Sequence, residues 1–183
     1  RSGVTSRMEC SPSDEDEVMF SLDWFHTEAG FNAITFRDDF SDRSGTPVQS
    51  PSNVRGQSGI FKWTRELSER NSLELSASLE RLHRNSRLIV ATERTVDLGL
   101  QQNLSLGDAQ KIVWGFGARR YDGRVDGNNF LSFSDENETL AIYNAFAQDE
   151  IALSDSVNLT VGSKVSWNDY TGWEIQPSVR TLW

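Results

Sequence analysis

The sequence predicts an all-β protein, an antiparallel meander of about nine long strands. Apolar and polar residues alternate along most of the chain, which places apolar side chains on one face of each strand and polar side chains on the other. Helical spacing of apolar residues is nearly absent. Short polar turns alternate with longer loops, which is the pattern of hairpins laid side by side.

The predicted strands follow one another with few breaks. In the segment 66 to 84, the best candidate for a helix, Leu73, Leu75 and Leu79 share one parity while glutamates and serines take the other, which favours a strand. The strands are expected at residues 2 to 10, 17 to 28, 57 to 67, 73 to 79, 88 to 104, 110 to 122, 139 to 152, 157 to 168 and 173 to 183.

The connections predict two different rims. Because successive connections of a meander lie at opposite ends of the sheet, one rim carries only short turns. Most of the predicted strands have 9 to 17 residues, which exceeds the five or six typical of soluble sheets and suits strands that cross an outer membrane. Short turns are expected at 11 to 16, 68 to 71, 105 to 110 and 153 to 156, and the other connections at 30 to 55, 84 to 88, 123 to 138 and 168 to 172.

Composition narrows the function classes. The 183 residues carry a net charge of −9, which argues against a nucleic-acid partner because phosphate binding needs a basic surface. The longest aliphatic run, "LIVA" at 88 to 91, is too short for a membrane helix. Cys10 is the only cysteine, so no internal disulfide is expected. The opening "RSGVTSRMEC" has no apolar signal segment, and we expect either a mature chain or a piece of a longer one.

The tryptophans leave two interpretations open. Five of them are predicted to lie near strand ends or loops, where an aromatic girdle at a membrane surface would lie. Tryptophans that fill a soluble core are the alternative. The five residues are Trp24, Trp63, Trp114, Trp167 and Trp173.

No motif predicts catalysis or a cofactor. His26 and His83 lack zinc-ligand spacing, and "GFGARR" at 115 to 120 has Arg120 where a dinucleotide-binding motif needs glycine. Asp149 and Glu150 are adjacent on a strand and therefore point to opposite faces, so they do not pair as acid and base. We expect no enzyme activity, no cofactor and no metal site.

A charge cluster in the longest predicted loop is the candidate binding element. Loops carry much of the ligand recognition in proteins, so this cluster is a candidate ligand-capture loop. A solvated loop without a ligand is the alternative. Its charged residues are Arg37, Asp38, Asp39, Asp42 and Arg43.

The second half of the chain carries a run of motifs in a recognisable order. They are "WGFGAR" at 114 to 119, "FAQDEIAL" at 146 to 153, "LTVGSK" at 159 to 164, "DYTG" at 169 to 172 and "QPSVRTLW" at 176 to 183. Together they resemble the β-barrel of a TonB-dependent outer-membrane receptor. The resemblance covers nearly the whole chain, with specific motifs only in its last part.

The resemblance implies a single barrel segment over residues 1 to 183, incomplete at both ends, since such receptors have about 22 strands. No plug domain or TonB box is recognisable. The implied function is uptake of an iron-siderophore or similar nutrient across the bacterial outer membrane. The implied partners are outer-membrane lipid, a small-molecule metal chelate or nutrient, and TonB through an N-terminal region of a longer parent.

A second hypothesis is a soluble, lipocalin-like binding module with an apolar interior. The mean hydropathy of −0.52 is compatible with a soluble isolated chain, which would form a small barrel or a curved sheet. An enzyme on a β-sandwich has no support from any residue.

Overall fold

The computed structural model describes residues 1–35, 46–86, 89–127 and 132–183, and the side chains of all these except 31–35 and 46–50. Long strands account for most of this part of the chain. None of its helices is long and apolar enough to cross a membrane. The strands are β1 (Ser2–Cys10), β2 (Asp16–Thr35), β3 (Thr46–Ser68), β4 (Asn71–Asn85), β5 (Val90–Leu106), β6 (Gln110–Asp126), β7 (Asn137–Ser154), β8 (Val157–Asn168) and β9 (Gly172–Leu182).

All nine strands form one antiparallel sheet in which each strand pairs with its neighbours in sequence. The predicted meander is confirmed. Strands β1 and β9 are the edges, and within the described residues they do not pair with each other. The sheet is therefore open, so of the two forms expected for an isolated chain the closed small barrel is not the one adopted.

The rims differ as predicted. The short-turn rim carries residues 11–15, 69–70, 107–109 and 155–156, and the loop rim carries the β2–β3 connection, 86–89, 127–136 and 169–171. Backbone hydrogen bonds connect each of three strand ends on the short-turn rim to the turn beside it. The amides of Glu66, Ser105 and Ala152 donate to carbonyls in the neighbouring turns, at Glu15, Arg70 and Ala109, each over 2.8 Å.

Two predicted loops are shorter in the structure, because the strands beside them extend further. The ladder between β2 and β3 continues from Glu28 paired with Asn53 to Thr35 paired with Thr46, so most of the loop expected at 30 to 55 is paired strand. Strand β6 likewise runs to Asp126, and β7 begins at Asn137. Backbone pairing needs no alternation of side chains, and these segments lack the periodicity on which the prediction depended.

The sheet has no conventional core. Among the described residues, Ala91 is the only buried apolar side chain. Ser166 is also buried, as are Gly56 and Gly115, and the register places all four on the same, polar face. We infer that the sheet curves toward this face.

Candidate functional site

One face of the sheet is apolar across all nine strands. Cross-strand partners in an antiparallel sheet point to the same side, so the register decides which side chains share a face. Phe20 pairs with Phe61, and Leu100 with Phe116, so apolar positions of neighbouring strands line up. This surface, called the apolar face below, includes Val4, Met8, Phe20, Leu22, Trp24, Phe61, Trp63, Leu75, Leu79, Leu98, Leu100, Trp114, Phe116, Tyr143, Val161, Val165, Trp167, Trp173 and Ile175.

The apolar face is exposed. At its centre Leu98 is 56% exposed, and Phe116 and Tyr143 are each 55% exposed. A shallow groove of about 620 Å³ runs across these side chains from Phe61 to Tyr143. Soluble monomers rarely expose a continuous apolar patch of more than a few hundred Å². This surface therefore requires an apolar environment that the sheet does not provide for itself.

The five tryptophans considered above all point from the apolar face, and none is buried. Trp63 and Trp114 lie toward the short-turn rim, whereas Trp24, Trp167 and Trp173 lie toward the loop rim. The indole nitrogen of Trp63 donates to Asp16 Oδ1 over 2.9 Å. They form no soluble core, and each ring is directed outward with the rest of the apolar face.

The opposite, polar face is crossed by hydrogen bonds and ion pairs between neighbouring strands. Arg119 Nε donates to Asp97 Oδ1 over 2.6 Å, and Lys62 Nζ lies 2.7 Å from Glu74 Oε2. Asn103 donates to Ser72 Oγ over 3.3 Å. These three pairs satisfy one another across neighbouring strands of the polar face.

Glycines on the polar face allow large neighbours to lie flat against the sheet. A Cβ at Gly115 would lie 2.4 Å from the carbonyl oxygen of Leu100 and 2.8 Å from the ring of Phe146. A Cβ at Gly117 would lie 2.7 Å from the Asn144 amide nitrogen. Side chains larger than hydrogen at these two positions would therefore collide with their neighbours.

Side chains at the loop rim tie three strands together, a feature that sequence reasoning missed. Asn168 Oδ1 accepts hydrogen bonds from the amides of Tyr170 and Thr171, each over 2.9 Å. Asp169 Oδ2 accepts from the amide of Ala141 over 2.6 Å, and the Tyr170 hydroxyl donates to Glu138. An Asn three residues before a turn threonine is a local signal for such a turn, but its partners on β7 are distant in sequence.

The candidate capture residues Arg37, Asp38, Asp39, Asp42 and Arg43 lie outside the described residues, and that hypothesis stays a prediction. Asp149 and Glu150 lie on opposite faces, as expected, opposite Ile112 and Lys111 respectively. His83 Nδ1 lies 2.9 Å from Thr92 Oγ1, and His26 Nε2 lies 3.6 Å from Glu28. Within the described ranges, no group of three or more His, Cys, Asp or Glu side chains is close enough to hold a metal ion.

Comparison with solved structures identifies the fold. The siderophore receptor PirA from Pseudomonas aeruginosa matches 98% of this chain with a TM-score of 0.73 at 13% identity. The ferric enterobactin receptor PfeA from the same organism gives 0.72 at 14% identity, and the ferric yersiniabactin uptake receptor FyuA from Yersinia pestis gives 0.60 at 13%. The predicted fold class, a slice of a β-barrel wall, is confirmed.

The match is to a part of each receptor. The chain spans 29% of PirA, 30% of PfeA and 33% of FyuA. No protein-family model and no curated protein matches the sequence. At these sequence identities the similarity shows the fold of the chain and does not assign its activity.

Proposed function

We propose that this chain forms part of the wall of an outer-membrane receptor that takes up an iron-siderophore or similar nutrient, with energy supplied through TonB. The observation that carries the proposal is the continuous, exposed apolar face, with a polar face on the opposite side of the sheet. If lipid covers the apolar face and water covers the polar face, each face lies in an environment that matches its side chains.

Physical chemistry supports lipid as the environment of the apolar face. Leaving a large apolar side chain in water rather than burying it costs about 1.5–3 kcal/mol, and this face has many such side chains. The apolar face of strand β5 from Val96 to Leu106 is interrupted only by Gln102 and runs for about 34 Å. At the tilt of about 40° that is usual in outer-membrane barrels, this stretch covers about 26 Å, comparable to their apolar band, which is about 25 Å tall. Strands β2 to β8 each have a hydrogen-bonded neighbour on both sides of their central part, and a hydrocarbon environment requires such pairing.

The two open edges support a larger wall. In hydrocarbon, the outward N–H and C=O groups of β1 and β9 would each cost several kcal/mol if left unpaired. Further strands on both sides would pair them and close the barrel. The 183 residues would then be one segment of such a barrel.

Within this proposal the polar face lines the passage, and the loop rim faces the external ligand. The loop with Arg37, Asp38, Asp39, Asp42 and Arg43 is the proposed capture element. We propose no catalytic step. The lipocalin-like alternative needs an enclosed apolar interior, and it is not favoured because Leu98 and Phe116 are exposed.

Site-directed labelling tests the proposal. Cys10 is first replaced by serine, since it is the only cysteine. Single cysteines at Leu98→Cys, on the apolar face, and Gln101→Cys, on the polar face of the same strand, then carry a fluorophore in the full-length protein reconstituted into vesicles.

Brominated lipid is expected to quench the label at position 98 strongly, whereas a water-soluble quencher is expected to act on the label at position 101. Equal quenching of both labels by the water-soluble reagent would contradict the membrane-wall proposal. Uptake of a labelled ferric siderophore by cells that carry the gene, compared with cells without it, tests the transport part.

A further inference from the structure

The register brings an unusual group of cations together on the apolar face. Between its central apolar belt and the loop rim lies a margin with five arginines, Arg55, Arg81, Arg94, Arg120 and Arg124. Three carboxylates share this margin among the described residues: Glu28, Asp122 and Asp126. We call this strip the basic margin. It has an excess of positive charge, although the chain as a whole has a net charge of −9.

The opposite margin, toward the short-turn rim, differs. Its charged side chains among the described residues are Asp16, Arg65 and Asp149, and Arg65 lies 3.9 Å from Asp16. The cationic excess therefore belongs to one end of the apolar belt only. A general preference of the sheet for arginine does not explain it.

Two arginines of the basic margin face each other. Arg81 of β4 and Arg94 of β5 are direct cross-strand partners, and both are exposed. Like charges directly opposite each other destabilise a sheet. Among the described residues, the ion pairs in this region hold other arginines: Arg120 lies 2.9 Å from Asp122, and Arg124 lies 2.9 Å from Asp126.

Asp122, which is opposite Arg94 in the register, is held by other groups as well. It accepts hydrogen bonds from Arg120 Nε over 3.0 Å and from the Thr139 hydroxyl over 3.0 Å. The pair of Arg81 and Arg94 thus presents guanidinium donors for which an external anion is the natural partner. A phosphate accepts from two guanidinium groups with good geometry.

A groove joins this arginine pair to the apolar belt. It has a volume of about 870 Å³, and its lining runs from Leu22, Gly59 and Leu79 past Arg81 and Arg94 to the far side, where Asp122, Arg124 and Glu138 lie. Both of these carboxylates already accept hydrogen bonds, Asp122 from Arg120 and Glu138 from Tyr170. Gly59 lies between Leu22 and Leu79 in the register, and an added Cβ there would meet Leu22 only at 3.4 Å. The missing side chain leaves an open apolar stretch of the groove between Leu22 and Leu79, beside Arg81 on β4.

From this geometry we propose that the groove binds an anionic membrane lipid, with its phosphate between Arg81 and Arg94 and an acyl chain along Leu22, Gly59 and Leu79. This inference rests on the proposed membrane position of the apolar face. A free anion would gain nothing from contact with the apolar end of the groove. An acyl chain would bury that end, so a lipid fits the whole groove.

The test uses the full-length protein in a nonionic detergent, titrated with dioleoylphosphatidylglycerol or with neutral dioleoylphosphatidylcholine and read by native mass spectrometry. The wild type is expected to bind the anionic lipid more tightly. The double variant Arg81→Gln, Arg94→Gln is expected to lose roughly five-fold in affinity per arginine and about 25-fold in all. The matched control is Arg84→Gln, Arg119→Gln, which removes the same charge from the polar face and is expected to bind as the wild type does.

A second variant tests the apolar end. Gly59→Phe fills the open apolar stretch and is expected to weaken binding of phosphatidylglycerol while both arginines stay in place. Equal affinity of the wild type and the double arginine variant for phosphatidylglycerol would overturn the proposal. So would competition by inorganic phosphate combined with no effect of Gly59→Phe, which would indicate a free-anion site.

The labelling experiment at positions 98 and 101 separates the two proposals. If lipid quenches the label at 98 and the arginine variants do not change lipid preference, only the lipid-site inference fails. If lipid does not reach position 98, the membrane position fails, and the lipid-site inference fails with it.

Discussion

Phe116 and Gly117 are adjacent on β6 and meet opposite environments. The Phe116 ring points outward from the apolar face, whereas a Cβ on Gly117 would lie 2.7 Å from the Asn144 side chain on the polar face. Position 116 therefore accepts a large side chain provided that it is apolar. Position 117, one residue further along the strand, lies in polar surroundings but has no room for a large side chain.

Gly115→Ala is expected to destabilise the protein by about 1–3 kcal/mol, because overpacking forces the backbone to shift. The new Cβ would meet a backbone carbonyl, that of Leu100, which cannot rotate away as a side chain can. The measurement is the urea midpoint of the protein in lipid vesicles. Gly30→Ala is the control, since a Cβ at Gly30 would meet nothing within 4 Å. Equal midpoints for both variants would show that the close packing at Gly115 has no energetic consequence.

Leu98→Arg is expected to cost about 2–4 kcal/mol of folding free energy in a bilayer, the range for an arginine on the lipid face at mid-depth. Gln101→Arg places the same side chain on the polar face of β5 and is expected to cost much less. The folded fraction on heat-modifiable gels, measured across urea concentrations in vesicles, compares the two. A larger loss for Gln101→Arg would reverse the assignment of the faces.

The Arg119–Asp97 pair is expected to show a coupling free energy of about 0.5–1 kcal/mol in a double-mutant cycle, the upper part of the range for partly exposed pairs. Its atoms are 2.6 Å apart, and the Asp97 side chain is 33% exposed. The comparison pair, Arg70–Asp108, is separated by 3.0 Å, but its aspartate is 97% exposed. We expect its coupling to be smaller, and the reverse order would contradict the role of burial.

Tyr170 is expected to give a pH-dependent contribution to stability. Its hydrogen bond to Glu138, partial loss of solvent and nearby carboxylates raise the pKa of the Tyr170 hydroxyl. A raised pKa in the folded state means that the stabilisation is complete below the unfolded value of about 10 and disappears as pH rises through the folded pKa. The urea midpoint of the wild type should therefore fall more steeply above this pH than that of Tyr170→Phe. Parallel curves would contradict the predicted linkage.

The alternation of residues made most of the fold predictable. Strand β8 was expected at 157 to 168 and is found there, because Val157 to Trp167 alternates almost without a break next to a polar turn. The extension of β2 and β3 was missed because Pro47, Pro51 and their polar neighbours do not alternate, while the paired backbone continues through them. The capture loop at 37 to 43 is beyond what the structure describes, so its role depends on experiment.

The sequence by itself determined which side chains share a face within each strand, because side chains in a β-strand alternate with a period of two residues. It also determined the positions of the four short turns, through their polar residues. The tertiary structure alone decided which residues of different strands lie beside each other. Arg81 and Arg94 are 13 residues apart and become direct partners only through the β4–β5 register. That register depends on the geometry of the connection and on matching the apolar faces of the two strands, whereas alternation within one strand fixes only the face on which each side chain lies.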